Sequence, residues 1–209
     1  MKTIVFDMYG VILEESKGYF IPYTHEHFPQ EEHARLRKLF REENLFTRAG
    51  NGEINSHQFL TQLGFADPDF HMRDYIENYL TMDRGFYAFA AEMAEMKSEC
   101  QFALLSNDVA DWSRHITAYH DLDRYFTAKI VSGDVHCRKP EPRIYEIALE
   151  TLCVSGDSCI FIDNSVKNLR VAQTFGMDTI LFNRDGEEFD GKTVYSFAEL
   201  SALMPNLLS

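Results

Sequence analysis

Short, unbroken apolar runs recur along this chain, and each one stops at a polar residue or a turn. Residues 3–6 (TIVF) are β-branched or aromatic throughout and end at Asp7, with Tyr9-Gly10 just beyond. A run of this kind predicts a buried central strand whose C-terminal end carries a lone acid. Comparable runs at 101–105, 128–131, 159–162 and 179–182 predict four more strands. Between and after them lie segments of helical spacing at 109–119, 141–152, 165–175 and 197–203, with Gly176 placed to close the third. Strands alternating with helices imply an α/β protein with a parallel sheet covered on both faces. Right-handed crossovers then predict the strand order 5-4-1-2-3, with the ligand crevice outside the C-terminal strand ends, where Asp7 lies.

One region breaks the alternation. From residue 14 to 83 the chain is charged, rich in aromatics and helical in pattern, with candidate helices at 23–27, 30–43, 56–63 and 67–82. In the last, Met72, Tyr75, Ile76, Tyr79 and Leu80 share one face, and Asp67-Pro68 supplies an N-cap and first helical residue. Gly50-Asn51-Gly52 reads as a loop, and a helix at 86–97 returns the chain to the sheet. The expected organisation is a core of residues 1–13 and 84–209 with an inserted helical cap, 14–83, whose Phe and Tyr residues form its own interior.

Composition adds exclusions. With 209 residues and 45% hydrophobic content the chain can bury a real core, and a net charge of −13 without a Lys/Arg cluster argues against non-specific nucleic-acid binding and against docking on anionic lipid. A small anionic substrate would need a local positive site. The four cysteines, Cys100, Cys137, Cys153 and Cys159, show neither a C-x-x-C pair nor a zinc spacing, so reduced thiols in a cytoplasmic protein are expected. No apolar run is long enough to cross a bilayer, and no targeting segment is expected.

Candidate chemistry gathers after the strands: Asp7, then Ser106-Asn107, then Arg138-Lys139, then Asp163-Asn164. Each alone also reads as a helix cap or a solvated loop group. Together they supply a nucleophilic carboxylate, a hydroxyl and amide for an oxyanion, a lysine to offset charge and an acid for a cation. VFDMYGVI, ALLSNDV, VSGDVHCRKPEPRIY and IFIDNSVKNLRVA, in that order, resemble the four motifs of the haloacid dehalogenase superfamily, a group of Asp-nucleophile hydrolases that is mostly phosphatases. The resemblance covers nearly the whole chain. It implies a Rossmann-like core, a doubly wound parallel sheet, with a helical cap inserted between the first two motifs, Asp7 as nucleophile, Ser106 and Asn107 binding the transferred group, and Lys139 neutralising it. It further implies Mg²⁺ held by Asp7, Asp163 and Asn164.

Two positions depart from the phosphatase pattern. Tyr9 stands where those phosphatases carry a second Asp that protonates the leaving oxygen and activates water. A phenol of pKa near ~10 is a poor base at neutral pH, and losing general acid–base help costs about 10²–10⁴ in rate. Asn164 replaces the second acid of an Asp-Asp pair, which removes a ligand charge. The dehalogenase branch also reads Asp-x-Tyr-Gly, since halide leaves without a proton. Asp163 points back toward phosphatases, because an acid beside the nucleophile repels an α-halo carboxylate unless a cation intervenes. The leading expectation is a Mg²⁺-dependent phosphatase acting on a small monoester; a 2-haloacid dehalogenase and a non-enzymatic member are the alternatives. Arg48, near Gly50 and Gly52, is a candidate anion hook from the cap or a surface arginine, and His25-Glu26-His27 reads as a solvated loop rather than a metal pair.

Overall fold

β1 (Lys2–Phe6) lies inside a six-stranded, wholly parallel sheet. The computed structural model describes residues 2–15, 20–95 and 100–208. The other strands are β2 (Cys100–Ser106), β3 (Phe126–Val131), β4 (Cys159–Asp163), β5 (Asp178–Phe182) and β6 (Lys192–Val194), in the order β3-β2-β1-β4-β5-β6. This is the expected order with one strand added at the edge. β6 escapes the sequence pattern because it is a three-residue run, Lys-Thr-Val, preceded by a polar loop.

Side chains alternate across the sheet with the period of two that a strand imposes. Ile4 and Phe6 join one buried cluster, and Val5 joins the other. On the first face Phe6 meets Phe86, Phe89 and Phe102 edge-on, with centroids 5.6, 5.9 and 5.2 Å away. Two of these rings come from α6 (Gly85–Glu95), the return helix, whose expected end at 97 lies outside the described residues. On the second face, α9 (Pro142–Leu152) and α10 (Val166–Thr174) pack Ile144, Tyr145 and Leu169 against Val5 and Phe161. The last helix, α11 (Phe197–Leu208), runs beyond its expected end because Leu203, Leu207 and Leu208 still reach the first cluster.

The inserted helices are α1 (Phe20–His27), α2 (His33–Arg41), α3 (Leu45–Gly50), α4 (Ser56–Leu63) and α5 (Pro68–Tyr79). α4 has the expected bounds, fixed by a capping box between Asn55 and Gln58. Asp67 caps α5 by accepting from the Phe70 amide at 3.0 Å. The segment predicted as one helix over 30–43 divides into a 3₁₀ turn and α2, and α3 fills part of what reads as a loop. His25-Glu26-His27 is helical rather than a loop: it sits on α1, where Glu26 accepts from Tyr79 and His27 meets the Tyr23 carbonyl. Among the described residues, no helix is long and apolar enough to cross a membrane.

Cap and core share one apolar cluster. Trp112, on α7 (Ala110–Tyr119) of the core, is 1% exposed and lies 4.9, 5.8 and 5.3 Å from the rings of Phe20, Phe59 and Tyr75. Its indole N–H donates to the Ser56 hydroxyl at 2.7 Å. A second seam is backbone-tight. Gly52 has φ +71°, and a Cβ there would fall 2.2 Å from the Gly133 carbonyl oxygen in α8 (Ser132–Val135), so no larger residue fits without displacement. Trp112→Ala removes the largest ring of the joint cluster and is expected to cost about 3–5 kcal/mol in urea unfolding, with cap and core still melting together. A loss below about 1 kcal/mol would show that the seam is loosely packed.

Candidate active site

The ends of β1, β2 and β4 lie side by side, and their polar residues converge with the loop that follows β3. The Asp7 amide donates to the Ile162 carbonyl at 2.9 Å, which fixes the end of β1 against β4. The Asp7 carboxylate accepts from the Met8 amide at 2.7 Å and lies 2.8 Å from the Lys139 ammonium. That ammonium also donates to Asp163 at 2.8 Å. Lys139 is 2% exposed, so a single cation is buried between two carboxylates. Asn107 holds it there: its amide oxygen accepts from the Lys139 N–H at 2.7 Å and its amide nitrogen donates to the Lys139 carbonyl at 2.8 Å. Asp163 is fully engaged, accepting in addition from the Ser165 amide at 2.7 Å and from the Asn168 side chain at 3.0 and 3.1 Å.

A cavity of about 350 Å³ opens over this group. Asp7, Tyr9, Asn107, Lys139 and Asn164 line it, which brings together most of the residues singled out from the sequence. Asp163 sits behind Lys139 as its counter-ion, hydrogen-bonded through both oxygens, and is not among the residues that line the cavity. Ser106 is fully buried at the end of β2, and its hydroxyl has no hydrogen-bond partner. Arg48 is not brought to the cavity: its guanidinium lies 3.4 Å from Glu53 and its side chain is 38% exposed. Arg138 does not line the cavity either.

Most of the remaining walls lie outside the four motifs. Phe46 and Tyr75 from the cap and Trp112 from the core form an aromatic side, while Asp108, Asp185 and Glu187 add carboxyl groups. The aromatics are indistinguishable by spacing from core residues, and Tyr75 and Trp112 serve as both. Asp185 carries a weaker strand-end signal: it lies in the loop three residues beyond β5, whereas Asp7 directly follows β1. Tyr9 donates to Asp108 at 3.2 Å, while the second carboxyl oxygen of Asp108 is buried without a partner.

Burial dominates the electrostatics. It pushes the Asp7 carboxyl up to about 7, against the pull of the Lys139 ammonium and with the help of the Asp163 charge. Burial alone would lower the Lys139 pKa, but Asp163 and then Asp7 outweigh it and hold it above the usual value. Burial, followed by the Asp108 charge, raises the Tyr9 phenol well above its ordinary value, so it stays protonated at neutral pH. Asp108 is likewise raised, chiefly by burial.

An aspartate at the end of the central strand of a parallel sheet, paired with a buried lysine under an aromatic cap, defines an α/β scaffold built to present a carboxylate to a bound ligand. Residues 1–176 match the family model described as haloacid dehalogenase-like hydrolase, and the chain belongs to that family. It is 26% identical to (S)-2-haloacid dehalogenase 4A of Burkholderia cepacia over 209 aligned residues, covering 96% of this chain and 89% of the relative. In fold it is similar to a HAD phosphatase from Thermococcus onnurineus, at a TM-score of 0.75 and 20% identity, over 98% of each chain. It is also similar to a HAD family enzyme of Bacteroides thetaiotaomicron solved with magnesium and inorganic phosphate, at a TM-score of 0.71 and 18% identity, over 91% of this chain and 98% of that one.

The raised Asp7 has a consequence for stability. A carboxyl whose folded pKa exceeds its unfolded one favours the folded state at low pH and loses that contribution as pH rises from about 4 through about 7. Asp7→Asn therefore raises the melting temperature of the metal-free protein clearly more at pH 8 than at pH 5, as thermal unfolding at the two pH values measures. A variant equally shifted at both values would contradict the burial of an ionised Asp7.

Proposed function

We propose that this chain is a Mg²⁺-dependent phosphate monoester hydrolase acting on a small substrate with an acidic leaving group and an apolar body. One observation carries the reading: among the described residues the cavity is lined by four carboxyl groups, Asp7, Asp108, Asp185 and Glu187, and by one ammonium, that of Lys139, which Asp163 already shares. An anion enters such a cavity only in company with a cation. Phosphoryl transfer brings one; displacement of halide from a carbon by a carboxylate has no use for one.

The donor chemistry fits the ion. Asp7 and Asn164 offer oxygen atoms on one wall, no Cys or His lines the cavity among the described residues, and hard oxygen donors suit Mg²⁺. Asp7 and Asn164 would hold it, and when bound it offsets the charge on the phosphoryl oxygens. The chain's own groups do the rest. An Asp7 oxygen attacks phosphorus, the bond to the leaving oxygen breaks, and an aspartyl-phosphate forms; water then attacks phosphorus, the P–O bond to Asp7 breaks, and inorganic phosphate leaves with the Asp7 carboxylate restored. Lys139 orients the nucleophile and offsets charge on the transferred group.

Tyr9 sets the substrate class. Its phenol is directed at Asp108 and remains protonated, so the position two residues after the nucleophile offers no carboxylic acid to protonate the departing oxygen. Esters of acidic alcohols, such as aryl phosphates, need no such proton, and Phe46, Tyr75 and Trp112 provide an apolar wall for the leaving group. The competing reading, carbon–halogen hydrolysis, draws on Tyr9 and on the Burkholderia relative, and it requires a 2-haloacid to enter the acidic cavity without a cation.

The test is a panel of aryl and alkyl phosphates and 2-haloacids, with and without Mg²⁺. Phosphate release from aryl esters only with Mg²⁺, and no halide release, is the expected outcome; metal-independent halide release would overturn the reading. Tyr9→Asp supplies the missing acid and is expected to raise turnover of alkyl phosphates by about 10- to 100-fold, less than the full general acid–base range because Asn164 leaves the metal site short of a charge, while changing aryl phosphates little. A folded variant with no gain toward alkyl phosphates would remove Tyr9 as the determinant.

A further inference from the structure

The loop after β5 is built into the site from three directions, although none of its residues belongs to the four motifs. Arg184 donates to the carbonyls of Gly10 and Val11 at 3.1 and 3.3 Å and pairs with Asp83, which clamps the loop to the turn that follows Asp7. Glu187 accepts from the Val166 amide at 2.9 Å at the start of α10, tying the loop to the segment that follows Asn164. Asn183 closes the loop on itself, accepting from the Glu187 amide at 2.9 Å and donating to the Glu187 carbonyl at 3.0 Å. The reversal passes through Gly186, whose φ of +71° is the left-handed conformation that glycine adopts without strain. Between these anchors stands Asp185, on the cavity wall with Asp7 and Asn164, accepting from the Asn164 amide nitrogen at 3.1 Å.

This arrangement bears on the weak point of the metal site. Asn164 brings a neutral oxygen where the phosphatase pattern has a charged one, and affinity for a hard divalent ion depends on the number of ligand charges and on the rigidity of their placement. We infer that Asp185 supplies the missing carboxylate: the Asn164 side chain spends its nitrogen on orienting Asp185 and offers its oxygen to the ion, so that an Asn–Asp pair from two loops does the work of an Asp-Asp pair from one. The inference rests on the Mg²⁺-dependent reading above. It also accounts for the bracing, since a carboxylate on an unanchored surface loop would lose affinity to the entropy of ordering it.

The test is titration of the full, substrate-free chain with MgCl₂ by isothermal calorimetry, repeated by the Mg²⁺-dependent rise in melting temperature. Asp185→Asn is expected to weaken Mg²⁺ binding by about 10-fold, as loss of a ligand charge does. Asp190→Asn removes an equal charge farther along the same connection, at an exposed site paired with Arg170, and is expected to leave binding unchanged. The double variant Asn164→Asp with Asp185→Asn returns the charge to its usual place and is expected to restore affinity. Wild-type affinity in Asp185→Asn, or equal weakening in Asp190→Asn, would overturn the inference while leaving the Mg²⁺ reading intact. Wild-type protein that binds no Mg²⁺ would overturn both.

Discussion

A lysine ammonium cannot be buried without partners, and the architecture of this site follows from how Lys139 obtains them. Its two carboxylates come from the ends of β1 and β4, neighbours in the sheet, so the strand order is a condition of the charge pairing. Its backbone is gripped by Asn107 at the end of β2, which draws the loop after β3 across that strand. Ser165 and Asn168 then saturate Asp163, leaving Asp7 as the partner that faces the cavity. One cation thus fixes the relative positions of four loops.

Charge on the far side of the cavity is not balanced in the same way. Asp108 keeps one carboxyl oxygen buried without a partner, and burial raises the pKa of Asp7 and Asp108. A bound cation would remove that frustration and give an anion a reason to enter. The aromatic wall completes the division of labour: the strand ends handle charge, while Phe46 and Tyr75, arriving from an insertion that shares its interior with Trp112, shape the apolar half. Cap and chemistry are joined mechanically, since Trp112 belongs to both the joint cluster and the cavity.

The parallel sheet, its order and the strand-end residues were legible because their signals are local: unbroken apolar runs, a polar stop and a turn. The same reasoning fails where position comes from elsewhere in the chain. β6 is too short to show a period, and α3 ends in Gly50-Asn51-Gly52, whose residues favour a loop. Arg48 sits near the expected cap loop but turns to Glu53, a choice that spacing cannot reveal. That Asp163 pairs with Lys139 behind the cavity is equally out of reach, because an acid after a strand looks alike in sequence whether it faces a cavity or a lysine. Asp185 went unread for the opposite reason: its relation to Asn164 spans 21 positions and exists only after folding.

The central claim is that Asp7 forms a covalent bond to phosphorus in the presence of a cation. Acid quench during turnover of an aryl phosphate with Mg²⁺, followed by peptide mass spectrometry, tests it directly. The account predicts a phosphoryl group on the peptide containing Asp7, absent without Mg²⁺ and absent in Asp7→Asn. A phosphoryl group on another residue, or a carbon ester on Asp7 after exposure to a 2-haloacid without metal, would contradict it.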